Sequence, residues 1–175
     1  GTNAAVTEGA NGASASQSGK YEVFTYDEHE DYIEITGCSS SAAEAVIPAE
    51  INGKPVTTIG KLAFSGAEKL TTVTIPDGVT TIGDGAFSGC AALTSVSVPD
   101  SVTEIATGAF RNCTALTDIS IPSSVTTIGE YAFSCCTSLP SAVIPDGITS
   151  IADGTFYECK AMTEISIPDS VTVIG

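Results

Sequence analysis

The chain has 175 residues, of which 42% are hydrophobic, 15% charged and 6% aromatic, enough for one domain with a continuous core and too few for two large ones. It has 21 acidic and 6 basic residues, which give a formal net charge of −15. Nucleic-acid binding needs clustered Lys and Arg, whereas the basic residues here are scattered singly, so nucleic acid and anionic membrane surfaces are excluded as partners. No apolar stretch is long enough to insert into a membrane and none resembles a signal sequence; we expect a soluble chain whose leader has already been removed.

The N-terminal segment divides into two predicted parts. Residues 1–19 are rich in Gly, Ala and Ser, with Val6 as the only large aliphatic residue. So few apolar atoms cannot offset the entropy lost on ordering, and we predict a flexible leader. Residues 20–41 are predicted to form a capping hairpin, with strands over residues 21–26 and 31–36 joined by Glu28-His29-Glu30.

Residues 42–175 repeat with a spacing of 23 residues, over about five and a half repeats. The first repeat is longer by an insertion that contains the turn sequence Asn52-Gly53. The recurring columns are Pro76, Pro99, Pro122, Pro145 and Pro168; Phe64, Phe87, Phe110, Phe133 and Phe156; Cys90, Cys113, Cys136 and Cys159; Ile59, Ile82, Ile105, Ile128, Ile151 and Ile174; and Leu70, Leu93, Leu116, Leu139 and Met162.

Each repeat reads as one coil of a mainly β solenoid. Val96 and Val98 alternate with serines and predict a short strand, which Pro99 ends because it has no N–H to donate. A turn and a second extended stretch, residues 102–105, follow. Phe110, Cys113 and Leu116 have the i, i+3, i+6 spacing of a short helical or 3₁₀ stretch that returns the chain to the next strand. A coil cannot bury its apolar face alone, so we expect the coils to stack.

The last coil is incomplete, because the chain stops at Val171-Thr-Val-Ile174-Gly175, before the expected Ala-Phe. We therefore expect either that more of the protein follows or that a neighbour covers this end. End-to-end self-association through the uncapped coil is one form that such a contact takes.

The pattern LxxVxIPxxVTxIGxxAFxxC resembles the 23-residue leucine-rich repeats of the BspA-like bacterial surface-protein family, over about residues 42–175. The resemblance implies a right-handed leucine-rich repeat coil. Two repeats depart from the pattern. Ala67 replaces Cys in the first repeat, and Pro140 with Ala142 replaces a polar residue and Val in one later strand, which we expect to be loosened.

The Cys and Phe columns have a structural interpretation. Parallel Cβ vectors on stacked coils suit disulfides poorly and zinc-ligand spacing is lacking, so we expect four buried free thiols and an exposed Cys135. Cys38 lies outside the column, and we do not expect it to bond to Cys135. The Phe column is expected in the core rather than as a stacking platform for sugars or bases.

Three further features invite functional hypotheses. A column of threonines, Thr57 to Thr172, could match ice, but its neighbouring column is interrupted by Glu104 and Val173, which favours a structural β ladder. The column Asp77, Asp100, Asp146 and Asp169 could hold Ca²⁺, but Asp is also typical of exposed turns. His29 is the only histidine and lacks the partners of a nucleophilic site, so we predict no catalytic residues, no metal and no cofactor.

If the apolar strand residues point inward, the alternate residues form a polar, slightly acidic surface. This candidate protein-binding face consists of Thr72, Thr74, Ser95, Ser97, Asp118, Ser120, Ser141, Val143, Glu164 and Ser166. It lacks the aromatic and Arg anchors of strong interfaces.

The family resemblance implies secretion or cell-surface display and attachment to host proteins such as fibronectin and fibrinogen. We therefore predict a non-enzymatic adhesion module that binds a host extracellular or cell-surface protein. The alternative is an accessory targeting module of a larger secreted hydrolase or protease.

Overall fold

The computed structural model describes residues 17–175, so residues 1–16 of the predicted leader lie outside the described part. It is a β-solenoid of about six coils, built from 16 short strands without a helix in the described residues. The predicted solenoid class is confirmed.

The N-terminal cap is formed by three antiparallel strands: β1 (Gln17–Tyr21), β2 (Phe24–Glu28) and β3 (Ile33–Cys38). The sequence predicted only two. A turn at Glu22, with a φ of 51°, divides the first predicted strand between the end of β1 and the start of β2. Part of the segment assigned to the leader, Gln17 to Gly19, therefore belongs to a strand, because backbone pairing with β2 needs no apolar side chains.

Each coil of the solenoid contributes one strand to each of two parallel rows. The first row is β4 (Glu44–Val46), β7 (Thr72–Thr74), β9 (Ser95–Ser97), β11 (Asp118–Ser120), β13 (Ser141–Val143) and β15 (Glu164–Ser166). The second row is β6 (Lys54–Ile59), β8 (Thr81–Ile82), β10 (Glu104–Ile105), β12 (Thr127–Ile128), β14 (Ser150–Ile151) and β16 (Val173–Ile174). β5 (Glu50–Ile51) pairs antiparallel with β6.

Both rows are interrupted at the same place. In the first row, β4 to β11 form one sheet and β13 with β15 another; in the second, the sheet from the cap runs through β12, and β14 with β16 is separate. The described residues thus form two stacked blocks that meet between β11 and β13.

The insertion in the first repeat ties the cap to the solenoid. The Asn52 side chain donates to the Glu28 carboxylate at 2.9 Å and to the Tyr26 hydroxyl at 3.1 Å. Lys54 lies 3.0 Å from the same carboxylate and donates to the His29 carbonyl at 2.6 Å. These two side chains, first Asn52 and then Lys54, lower the pKa of Glu28.

The core is a stack of like residues. The rings of Phe87, Phe110 and Phe133 are fully buried and nearly parallel, with centroids 5.2 and 5.5 Å apart. At the capped end, Phe24 packs edge-on against Phe64 at 6.1 Å. Phe156, at the other end, is only partly buried because no complete coil lies over it.

The return from the second row to the next coil consists of tight turns, which corrects the predicted helical or 3₁₀ stretch. The Ala86 and Cys90 amides each donate to a carbonyl three residues back, but a left-handed residue interrupts the run twice, at Gly85 (φ 58°) and Gly89 (φ 76°). A left-handed residue ends a right-handed helical turn. The equivalent left-handed residues of other coils are Leu62, Gly108, Tyr131 and Gly154, and Gly66, Asn112, Cys135 and Glu158.

Candidate protein-binding face

The strands of the first row alternate outward and inward side chains, and the inward residue is buried in all of them except β11 and β15, where Ile119 and Ile165 are more exposed. In β9, Val96 is 3% exposed and points into the core, while Ser95 and Ser97 are exposed. The ten residues of the candidate face occupy these outward positions and all are exposed: Thr72, Thr74, Ser95, Ser97, Asp118, Ser120, Ser141, Val143, Glu164 and Ser166. Glu44 and Val46 extend the face by one strand at the capped end.

Pairing in register aligns these residues in two columns. Thr72, Ser95 and Asp118 are direct partners along one column, and Thr74, Ser97 and Ser120 along the other. Ser141 and Val143 pair instead with Glu164 and Ser166 in the second sheet. The structure therefore brings six of the ten residues into one continuous surface and places the other four beyond the gap next to β11.

The chemistry of the face is that of a contact surface. It presents hydroxyl groups with the carboxylates of Asp118 and Glu164, and Val143 is its one apolar side chain, 66% exposed. The ion pairs in the described part of the chain involve Glu28, Glu34 and Glu158, so neither carboxylate has a basic partner. Such a surface suits a partner with donors and positive charge.

The gap between β11 and β13 is deeper than a loosened strand would make it. β11 with Ile121 forms one wall and β13 the other, and they enclose a cleft of about 400 Å³. Pro140 and Ala142 gave the signal that this strand would be loosened. Gly147 stands where three other coils have serine, at Ser101, Ser124 and Ser170, and an earlier coil has Gly78.

The threonine column in the second row is a hydrogen-bonded ladder. The hydroxyls of Thr80, Thr103 and Thr126 each donate to the carbonyl of the preceding column member, at 3.3 to 3.4 Å. These hydroxyls serve the contacts between coils.

The aspartates of the turn column, Asp77, Asp100, Asp146 and Asp169, are all exposed. Residues 17–175 contain no group of three or more His, Cys, Asp or Glu arranged to hold a metal ion. His29 is half-buried at the tip of the cap, stacked on Tyr32 with its Nε2 3.4 Å from Glu34. It supports the cap rather than facing a cleft.

All six cysteines are free, including Cys38 and Cys135. Cys90, Cys113 and Cys136 are buried, and each Sγ donates to the Phe carbonyl of the preceding coil at 3.1 to 3.2 Å. Burial raises the pKa of Cys90 and Cys136 to about 12 and that of Cys113 further. Two expectations need correction: Cys159 is only half-buried, because it lies in the uncovered end coil, and Cys135 is half-buried rather than fully exposed.

Comparison with known proteins identifies the repeat. The model of the BspA-type leucine-rich repeat region matches residues 57–175 in six copies. No similar sequence was found among curated proteins. No helix in the described part could cross a membrane.

Several solved structures are similar. The T. pallidum leucine-rich repeat protein is 29% identical, with a TM-score of 0.79 over 90% of this chain and 86% of that one. A leucine-rich cell surface protein from Faecalibacterium prausnitzii is 34% identical, with a TM-score of 0.80 over 90% of this chain and 44% of that one. A leucine-rich repeat protein from Bacteroides ovatus is 26% identical, with a TM-score of 0.58, over 89% and 55% of the two chains. This chain thus spans less than half of the F. prausnitzii protein. The repeat model and these folds agree with the stacked coils described above: the chain belongs to the BspA-type leucine-rich repeat family.

Proposed function

We propose that this chain is a non-enzymatic protein-interaction module, secreted or displayed on a bacterial surface, that attaches to host extracellular or cell-surface proteins through its candidate face. The family supplies the general role, since leucine-rich repeats are protein-interaction scaffolds. The observation that carries the proposal is the face itself: ten exposed side chains on a stacked core, six of them in register on one sheet and four on the next. A rigid surface loses little entropy when it binds, which compensates for the lack of aromatic anchors.

The test is binding of the full chain to immobilised fibronectin and fibrinogen at physiological salt, measured by surface plasmon resonance. We expect Ser97→Lys, at the centre of the continuous part of the face, to weaken binding by about tenfold or more, because it places a long charged side chain in the contact. The matched control is Ala91→Lys on the exposed return. This adds the same charge at a position equivalent to Lys160, where the fold accepts lysine.

Two outcomes would contradict the proposal. Absence of binding to both matrix proteins would argue against host attachment. Equal loss of binding in the two variants would show that net charge, not the face, controls the interaction.

A second candidate is an accessory targeting module of a larger secreted hydrolase or protease. It is favoured by the solved relatives that are much longer than the matched part, with 44% and 55% of their chains covered. The sequence of the parent gene tests it: a catalytic domain in the same chain would support this role over independent adhesion.

A further inference from the structure

The stack is open between the coil of β11, residues 117–139, and the coil of β13, residues 140–162. Among the described strands, β11 is not paired with β13, and β12 is not paired with β14. In contrast, β9 with β11 and β10 with β12, one coil earlier, are both paired in parallel. The opening is therefore a property of this junction and not of the repeat.

Pro140 accounts for the opening of the first row. The equivalent residues of the two preceding coils, Thr94 and Thr117, each donate both the amide and the hydroxyl to the coil before, with amide distances of 3.2 and 2.9 Å. Proline has neither group. The carbonyl of Thr117 thus loses both of the donors that this column normally supplies.

Gly147 leaves one hydrogen bond of the second row unmade, but it does not open the row by itself, because Gly78 is its equivalent in a coil whose strands β6 and β8 are paired. The equivalent hydroxyls of Ser101 and Ser124 donate to a carbonyl of the preceding coil, each at 2.7 Å. Glycine offers no hydroxyl to the corresponding Val125 carbonyl.

The return side of the same junction stays closed. The amides of Tyr131, Phe133 and Cys135 donate to carbonyls of the next coil at 2.7 to 3.0 Å. Phe133 also remains stacked on Phe156, with centroids 5.5 Å apart. The two blocks therefore diverge towards the strand side only, and the gap becomes a cleft with a closed base.

The cleft is lined mostly by polar groups, with the side chains of Ile119 and Ile121 as its main apolar part and one carboxylate at its edge. Ile119 and Ile121 are half-buried here, whereas Val96 and Val98 of the preceding coil are 3% and 6% exposed. Ala142, opposite them, is too small to fill the space. Asp118 stands at the edge of one wall, whereas Glu164 belongs to β15 in the next coil and does not line the cleft. The volume of about 400 Å³ lies within the range of about 300–1,000 Å³ found for ligand pockets.

We infer that this cleft binds a Lys or Arg side chain from an extended segment of the partner protein, an inference that rests on the proposed function. The methylenes of such a side chain pack on Ile119 and Ile121, and its cationic head reaches Asp118. The segment is extended because an extended backbone lets one side chain enter the cleft while its neighbours lie along the exposed hydroxyl groups of the candidate face. The net charge of −15 attracts the basic segment and speeds its association.

The test is fluorescence anisotropy of the full chain with a short labelled peptide in which Thr and Lys alternate, at physiological salt. A peptide with Glu in place of Lys is the control ligand. Pro140→Thr is the decisive variant, because it restores both missing donors and closes the cleft without changing the net charge. Ala142→Ile is the second variant, since it fills the cleft with a residue found at the equivalent positions Ile119 and Ile165.

We expect the Lys peptide to bind and the Glu peptide not to bind. Pro140→Thr, Ala142→Ile and Asp118→Asn should each weaken binding by about tenfold or more. Glu104→Gln, which removes one exposed carboxylate from the second row, should change it by less than about twofold. If both cleft-closing variants bind the Lys peptide as the wild type does, overall negative charge is responsible and the inference is overturned. Matrix-protein binding that survives in these variants but is lost in Ser97→Lys would retain the proposed function and overturn the cleft as its site.

Discussion

Phe110 is the central ring of the phenylalanine stack and contacts a parallel ring on each side, at 5.2 and 5.5 Å. Its side chain is completely buried. We expect Phe110→Ala to lower the free energy of unfolding by about 3–5 kcal/mol, because the substitution removes buried apolar area and leaves a cavity between two coils that cannot close. Urea unfolding followed by circular dichroism measures this loss.

Phe156→Ala is the matched control, since the same side chain lies half-buried at the uncovered end. Its loss should be clearly smaller than that of Phe110→Ala. A loss below about 1 kcal/mol for Phe110→Ala would contradict the stacked core.

The buried thiols of the Cys column make the free energy of unfolding depend on pH in the alkaline range. Burial raises the pKa of Cys136 from 9.0 to about 12, so the thiol's contribution is complete below pH 9 and is lost as the pH rises towards 12. Each such thiol lowers the free energy of unfolding by at most about 1.4 kcal/mol per pH unit in this range. We expect Cys136→Ala to be less stable than the wild type at pH 7 and to approach it as the pH rises, in urea midpoints measured from pH 7 to 11. Alanine is compatible with this column, because Ala67 occupies it in the first coil. Parallel curves for the two proteins would show that Cys136 does not titrate in this range.

At the scale of single strands, the junction between β12 and β14 offers a stabilising substitution. Gly147→Ser should raise the free energy of unfolding by about 1–2 kcal/mol, because it supplies a hydroxyl for the Val125 carbonyl and also reduces the entropy of the unfolded chain. A Cβ at this position would lie 3.3 Å from that carbonyl oxygen, so a small adjustment of the neighbouring coil is needed.

Gly147→Ala separates the two effects, since it reduces the entropy of the unfolded chain without adding a hydroxyl. We expect about half of the gain from Ala, measured in the same denaturant titrations. Equal stabilities of the Ser and Ala variants would show that no hydrogen bond to Val125 forms.

The sequence predicted these elements unevenly, for physical reasons. The alternation around Val96 fixed which side chains of β9 are buried, and the same logic placed all ten face residues at the surface. The i, i+3, i+6 spacing in the return was read as helical, but tight turns satisfy it equally well and left-handed residues such as Asn112 cannot be recognised from spacing. Pro140 predicted a loosened strand, because the sequence alone shows that this residue has no backbone N–H to donate. The cleft was not predictable, since it depends on which side of the junction stays hydrogen-bonded.

At the scale of the whole molecule, the two ends of the solenoid differ. The cap covers the first coil, where Phe24, Ile33 and Ile35 are fully buried. The last coil exposes a contiguous apolar face. Its main members are Ile165, Ile167 and Ile174, which are 36%, 41% and 64% exposed and line a cavity of about 470 Å³. In the 175-residue chain this face is where burial of further apolar surface would be most favourable.

We expect two copies of this chain to associate through the last coil, and we expect salt to control the association. Apolar burial favours contact, while a net charge of −15 on each copy opposes it. Added salt screens the repulsion and leaves the apolar attraction, so the dimer fraction in sedimentation velocity should rise with both protein concentration and ionic strength. Ile174→Lys should abolish the dimer, whereas Val46→Lys, which adds the same charge at an equally exposed valine near the capped end, should leave it intact. A chain that stays monomeric in high salt at every concentration would refute association through this face, and a dimer lost equally in both variants would place the contact elsewhere.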